Sequence, residues 1–278
     1  MDNDILKMSI TIILVSYKSD SRIDRCLKNI GNKYNKIIIE TSKDKSLKAD
    51  LEKKYSKTKV ILSSNIGYGA AMNFGVKKAK TKYVFMTTPD ILLNNNTLKN
   101  LLIAAKKLKD NFAFLSPVTK PYKNKSFIEV KTCRGYAIFV EKKKFEKIGG
   151  WDKNFFLFYE DHDLCERYNK LNQKIYLITN AKVKHIVGGF YKTNIINEVD
   201  ICKNWHFMWS KFYFNKKYKG SIYAYMITFP FMIRSIIKTI FYFFIDRNRF
   251  KIYYARFSGL FNAYINKKSW YRPLIKFN

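Results

Sequence analysis

The chain has 278 residues, 47% hydrophobic and 17% aromatic, which is ample for a packed core and excludes a disordered chain. Its 53 lysines and arginines against 21 acids leave a formal net charge of +32, so an anionic partner is expected: nucleic acid, an anionic membrane surface or a phosphate-bearing substrate. The length suits one catalytic-sized domain with an appendage, and four scattered cysteines with no CxxC pair argue against a zinc site or a disulfide framework.

The first ten residues, MDNDILKMSI, carry acids where a signal peptide carries bases, so a cytoplasmic protein is expected. Residues 9–16 (SITIILVS) form a continuous β-branched run, the pattern of a strand buried on both faces, and residues 22–30 have helical spacing. Residues 36–40 (KIIIE) read as a second strand, 47–55 as a polar helix and 59–62 as a third strand. A glycine-punctuated turn and a helix to about residue 80 follow. Residues 83–88 (YVFMTT) give a fourth strand and 97–108 a helix with asparagines at its start. This alternation predicts an α/β fold, a doubly wound, mostly parallel sheet flanked by helices, which binds ligands beyond the carboxyl ends of its strands. Those ends carry Ser16, Tyr17, Glu40, Ser64, Asn65, Thr88, Pro89 and Asp90.

After the third strand, Gly67 and Gly69 lie between Asn65 and Asn73, where backbone can approach a phosphate, although a plain tight turn would look the same. Asp90 at a strand exit suits an oxygen ligand for Mg2+ or Mn2+, and Pro-Asp is also an ordinary turn. Residues 127–140 read as two strands around Cys133, Arg134, Gly135 and Tyr136. In residues 155–167 (FFLFYEDHDLCER) an apolar run delivers Glu160, Asp161 and Asp163, scarce carboxylates in this chain. They suit a general base at a cleft edge, or simply the first turn of a helix with Asp163 and Glu160 paired to Arg167. A strand at 175–178 precedes His185.

From residue 201 onward the only acid is Asp246, against fifteen lysines and arginines, in a stretch dense in aromatic residues. Residues 222–245 nearly match a membrane span in length, but Arg234 and Lys238 lie in the middle and Pro230 is expected to interrupt the helix. Arg234 and Lys238 share one helical face, so a helix lying in the interface of an anionic membrane is expected. The other reading is a helical subdomain that buries its aromatics against the catalytic domain or a second subunit.

Taken together, the order of Ser16-Tyr17, Glu40, Asn65-x-Gly67-x-Gly69-x-x-x-Asn73, Pro89-Asp90, Gly149-Gly150-Trp151-Asp152 and Glu160-Asp161-x-Asp163-Leu164-Cys165-x-Arg167 resembles the family 2 glycosyltransferases. It looks most like the branch that includes bacterial rhamnosyltransferases of polysaccharide assembly, over residues 10 to 189. The resemblance implies a GT-A catalytic domain, placed at residues 1–195, while the composition of residues 196–278 marks a basic helical region expected to associate with membrane. It also implies a nucleotide-sugar donor such as dTDP-rhamnose, a divalent metal, inversion at the anomeric carbon and a glycan acceptor, lipid-linked where the chain works at the inner face of the cytoplasmic membrane.

By the same resemblance Asp161 is the catalytic base, with Glu160 and Asp163 as supporting groups. Asp90 and His185 take the metal, and Thr88 stands where Asn or Asp is common. Ser16, Tyr17, Glu40, Asn65, Gly67, Gly69, Asn73 and Thr88 fall on the donor side. Arg134, Gly135, Tyr136 and Trp151 fall on the acceptor side, Tyr136 replacing a small residue. A nucleic-acid-binding protein is the rival class, and the spread of the basic residues without a recognised binding motif argues against it. A sugar nucleotidyltransferase is a second rival, and the glycine-free loop at 16–22 argues against that. A catalytically dead relative is the third, hinted at only by Thr88. The oligomeric state is not legible.

Overall fold

The computed structural model describes residues 9–122, 125–186 and 193–273. The N-terminal residues 1–8 and Gly189, the far end of the resemblance, lie outside them. The chain forms two compact units, Met1–Asp152 with Asp161–Gly188, and Lys153–Glu160 with Gly189–Asn278.

The first unit holds strands β1 (Ile10–Ser16), β2 (Asn35–Glu40), β3 (Thr58–Leu62), β4 (Tyr83–Thr87), β5 (Ile91–Leu93), β6 (Phe114–Val118), β7 (Phe127–Val130), β8 (Ala137–Glu141) and β9 (Ile175–His185). Its helices are α1 (Asp20–Ile30), α2 (Lys45–Lys54), α3 (Tyr68–Lys78), α4 (Thr97–Lys107), α5 (Lys142–Lys147) and α6 (Glu160–Lys170). The sheet runs β3-β2-β1-β4-β8-β6-β9-β5, with β7 also on β9. Strands β1 to β4 pair in parallel, whereas β8 is antiparallel to β4 and opens a mixed half.

The unbroken apolar run of β1 has a use on both faces. Ile10, Ile12 and Leu14 enter one core with Ile23 and Leu101, and Ile13 enters another with Met72 and Val76. A Cβ on Gly75 would stand 2.5 Å from Ile13 Cγ2, so the glycine lets α3 ride directly on β1. Strands β5 and β6 are absent from the sequence reading. β5 has three residues, too few for a periodic signal, and β6 carries Ser116 and Pro117, which argue against a buried strand. A register shift between Pro117 and Val118 accommodates the proline, and every residue of β6 is buried.

The second unit is helical: α7 (Thr193–Lys219), α8 (Ser221–Ile245) and α9 (Arg247–Tyr264). Trp205, Met208, Phe212 and Leu260 form its core. A Cβ on Gly259 would lie 2.3 Å from the Trp205 carbonyl oxygen, so α7 and α9 meet backbone to backbone there. Asp246 opens α9 by accepting from the amides of Asn248 and Arg249 at 2.9 and 3.0 Å. α8 does not stop at Pro230, contrary to the expected interruption. The proline lacks one amide donor, but Thr228 on one side bonds the Tyr264 hydroxyl at 2.9 Å and Met232 on the other is buried in the core.

The segment Lys153–Glu160 precedes the expected boundary yet belongs to this unit, and its aromatics explain why. The Phe156 ring stacks on His206 at 4.4 Å and takes the Arg272 guanidinium at 3.7 Å, and the Leu157 carbonyl accepts from Ser210 at 2.9 Å. His206 is fully buried, bonding the Tyr271 carbonyl through Nε2 at 2.8 Å and the Ser269 hydroxyl through Nδ1 at 3.0 Å. Burial, aided by the charge of Arg272 and opposed by the Tyr271 bond, pushes its pKa down to about 3.

The folded protein therefore keeps His206 neutral while the unfolded chain takes up a proton below a pH of about 6.5. Stability is expected to be intact above that pH and to fall as pH drops toward the folded value, at about 1.4 kcal/mol per pH unit from this group. Urea midpoints of the wild type and His206→Gln between pH 7.5 and 5 test this. The variant should show the shallower fall; equal slopes would contradict it.

Candidate active site

The carboxyl ends of the parallel strands meet as the fold class predicts. Ser16 ends β1 opposite Glu40 at the end of β2, and the Thr41 amide and hydroxyl bond the Ser16 carbonyl at 2.9 and 2.8 Å. Glu40 is fully buried. Its Oε1 accepts from the Ser42 amide at 2.7 Å and from the Ser42 hydroxyl, while Oε2 is buried with no partner in hydrogen-bonding geometry. Burial pushes the Glu40 carboxyl up, and the hydroxyls of Ser42 and Ser16 offset only part of that. The Ser16 hydroxyl itself engages Ser19 at 2.9 Å. Tyr17, just beyond the strand, is half-buried.

Asp90 and His185 are 95 positions apart and are joined by topology. β5 runs antiparallel to β9 with Ile91 opposite His185, and the Ile186 amide bonds the Asp90 carbonyl at 2.9 Å. His185 Nε2 stands 3.1 Å from Asp90 Oδ2, and both side chains are 27% exposed. The Thr88 hydroxyl donates to Asp90 Oδ1 at 2.5 Å, so the residue that departs from the family pattern orients the carboxylate. The Tyr136 ring lies 5.0 Å from the His185 ring, and its carbonyl accepts from the Thr87 hydroxyl at 3.1 Å and the Thr88 amide at 3.3 Å.

Asp161 stands in the first turn of α6. Its Oδ2 accepts from the Gly135 amide at 3.1 Å, and Oδ1 accepts from the His162 amide at 2.8 Å and faces His162 Nδ1 at 2.8 Å. Burial pushes this carboxyl up, but the His162 ring and the two amides pull harder, so it rests below the ordinary aspartate range. A Cβ on Gly135 would stand 3.1 Å from Asp161 Cβ and 3.2 Å from the Trp151 ring, so only glycine fits without displacing one of them. His162 is the contact the sequence did not give away. Neighbours in a helix point apart, and nothing in the spacing marks an imidazole closing back on the preceding carboxylate.

The remaining expected residues divide into wall and framework. Trp151 is buried, its indole donating to Met86 Sδ at 3.3 Å, so it floors Gly135. Both amide atoms of Asn73 are committed to the Trp151 backbone, at 2.7 and 2.9 Å. Asp163 is fully buried and pairs with Arg167 at 2.9 Å, while Arg167 also bonds the carbonyls of Ile148 and Gly150 at 2.8 and 2.6 Å. The pair thus holds the Gly149-Gly150 turn. Gly67, with φ of 93°, opens α3 without a side-chain cap, Gly69 is buried inside that helix, and Asn65 lies in the loop before it. Arg134 is exposed. Glu160 opens α6 behind Phe158 and Tyr159, both at φ 67°, a left-handed pair of bulky residues. Rings of Phe207 and Phe214 pack on this pair. Among the described residues no three metal-ligating side chains converge; Asp90 and His185 stand as a hydrogen-bonded pair.

Comparison with known proteins gives the family and the fold class. The sequence profile of glycosyl transferase family 2 matches residues 11–159. The rhamnosyltransferase WbbL of Escherichia coli K12 is 23% identical over 209 residues, covering 60% of this chain and 79% of that one. The low-salt glycan biosynthesis hexosyltransferase Agl10 of Haloferax volcanii is 21% identical over 198 residues, covering 60% and 63%. A crystal structure of GalNAc-T7 with UDP, GalNAc and Mn2+ superimposes with a TM-score of 0.56 at 14% identity, over 64% of this chain and 44% of that one, a likeness of fold. With more than half of its residues matched by the profile, the chain belongs to glycosyl transferase family 2 and has a GT-A-like fold.

Proposed function

We propose that the chain transfers a sugar, with inversion at the anomeric carbon, from a nucleoside-diphosphate donor to a hydroxyl of a lipid-linked glycan in cell-surface polysaccharide assembly. The observation that carries this is the Asp161 carboxylate, kept ionised by His162 and by the Gly135 amide. An acceptor oxygen bonds the anomeric carbon on the face away from the diphosphate, the bond from that carbon to the diphosphate oxygen breaks, and the acceptor's proton passes to Asp161. A base this weak suffices because the nucleoside diphosphate is already a good leaving group.

Asp90 and His185 would hold a divalent cation, an oxygen and a nitrogen ligand 3.1 Å apart, as sites with one or two protein ligands do. When bound there, Mg2+ or Mn2+ neutralises charge on the leaving diphosphate, and the imidazole favours Mn2+. Glu40 offers a buried acceptor to the base or ribose of the donor. Tyr136 with Arg134 walls the acceptor side. dTDP-rhamnose is the leading donor, supported by the rhamnosyltransferase among the relatives.

Attachment to the inner face of the membrane is supported by α8. Its buried stripe is Ala224, Thr228, Met232 and Ser235, and nearly everything else it shows is apolar, with Ile222 79% and Phe244 80% exposed. By length and composition α8 could cross a bilayer. However, α9 packs along it in the opposite direction, Tyr242 on Tyr253 and Tyr225 on Tyr264. A crossing would carry Arg234 and Lys238 of α8 and Arg256 of α9 into the bilayer, at about 2.5–3.5 kcal/mol for each that reached its centre. An in-plane helix avoids this.

Asp161→Asn is expected to lower transfer by about 10²- to 10⁴-fold, measured with donor and glycan acceptor, while donor affinity by calorimetry stays put. Loss of donor binding in that variant would contradict the assignment. In Asp90→Ala the metal-dependent part of donor affinity should vanish; an unchanged metal requirement would oppose the role given to Asp90. Glu40→Gln is expected to be more stable than the wild type at pH 8, with the advantage shrinking toward pH 5. The raised pKa means that folding opposes ionisation, a cost present at high pH and lost as the carboxyl protonates. A pH-independent difference in thermal midpoint would contradict this.

A further inference from the structure

The C-terminal unit contains a cavity of about 490 Å3 lined by none of the residues placed in the candidate active site. Its floor is aromatic. Trp209 stacks on Tyr213 at 5.0 Å, its indole donates to the Lys267 carbonyl at 2.9 Å, and Asn154 donates to the Tyr213 hydroxyl at 3.1 Å. Its rim is cationic. Lys216 and Lys217 come from the last turn of α7, Lys267 and Lys268 follow α9, and Lys153 comes from the segment before α6. Among the described residues no aspartate or glutamate lines the cavity. Five ammonium groups around one opening repel one another, and an anion seated among them relieves that repulsion.

The neighbouring surface says what kind of anion. Phe212, in the cavity wall, packs on Tyr225 of α8 at 5.0 Å, and on either side of Tyr225 the helix presents Ile222 and Met226, 79% and 71% exposed. A cationic rim over an aromatic floor, beside an exposed apolar helix, matches a phosphate ester joined to a hydrocarbon chain. A free phosphate would use the rim alone.

We propose that this cavity binds the phosphate of a membrane lipid, with the lysines on the phosphate and Trp209 and Tyr213 under the first carbons of the chain. The site rests on the membrane-surface part of the reading above. Its source is either a phospholipid headgroup or the phosphate of an isoprenoid carrier.

Calorimetric titration of the full chain, without a bilayer, tests the cavity directly. The probes are a short-chain phosphatidylglycerol below its micellar concentration, geranyl diphosphate and inorganic phosphate. One saturable site is expected for one or both lipid phosphates, about ten-fold tighter than for inorganic phosphate, and the tighter of the two names the source. The double variants Lys216→Gln/Lys217→Gln and Lys267→Gln/Lys268→Gln should each weaken it about 10- to 30-fold, as two lysine contacts to an anion imply. All of these lysines lie at the surface, and circular dichroism checks that the variants fold. Inorganic phosphate binding as tightly as the lipids would overturn the proposal, and so would lipid affinity unchanged in both double variants. Flotation of the wild type with phosphatidylcholine vesicles, with and without phosphatidylglycerol, addresses attachment separately. A protein that binds the soluble lipid but floats with neither vesicle retains the cavity and loses the membrane reading.

Discussion

The dipeptide Gly135-Tyr136 ties the two halves of the site together. The Gly135 amide holds Asp161, and the missing Cβ gives that carboxylate its place above Trp151. One residue on, the Tyr136 carbonyl receives Thr87 and Thr88, and its ring lies against His185. Asp161 and the Asp90–His185 pair are therefore referenced to the same short stretch ahead of β8. A side chain at 135 would push against both the Trp151 indole and Asp161. Beneath this stretch the support continues inward: Asn73 grips the Trp151 backbone with both amide atoms, and Arg167, neutralised by the buried Asp163, grips the turn before it. Residues that read as ligands in the sequence thus divide into those that face the site and those that hold the facing residues still.

Two carboxylates in this site are driven in opposite directions by the same physics. Glu40 and Asp161 are both largely withdrawn from water, which disfavours their charge. Asp161 has an imidazole and two amides to outweigh that, whereas Glu40 has hydroxyls and an amide that do not, and the charge of Asp20 adds to the push. The first is available to accept a proton, and the second is set to meet a neutral, hydrogen-bonding partner.

The parallel half of the sheet was legible because β1, β2 and β4 are buried on both faces and must read as unbroken apolar runs. The mixed half was not. β6 hides behind Ser116 and Pro117, and β5 has only three residues, yet that short pairing with β9 is what carries His185 to Asp90. Asp161 was visible as one of a few acids after an aromatic run. Its partner His162 was not, since adjacent helix positions ordinarily diverge. Asn73 was visible as a polar residue near a glycine turn, but only the fold reveals that Trp151 occupies it. In the last third, composition foretold an apolar, basic, helical region. The loop Lys153–Glu160 was assigned with the sheet, because the ring of Phe156 between His206 and Arg272 is a contact across fifty residues of sequence or more.

The proposed donor site of Asp90, His185 and Glu40, for a nucleoside diphosphate held with a divalent cation, is open to thermal unfolding of the full chain with dTDP, UDP or GDP, each with Mn2+, Mg2+ or chelator. A ligand that binds only the folded state adds about 2.7 kcal/mol at a hundred times its dissociation constant, a readily measured rise in midpoint. Such a rise is expected for one diphosphate with metal and is expected to vanish with chelator. No rise with any diphosphate under any metal condition would contradict the donor site.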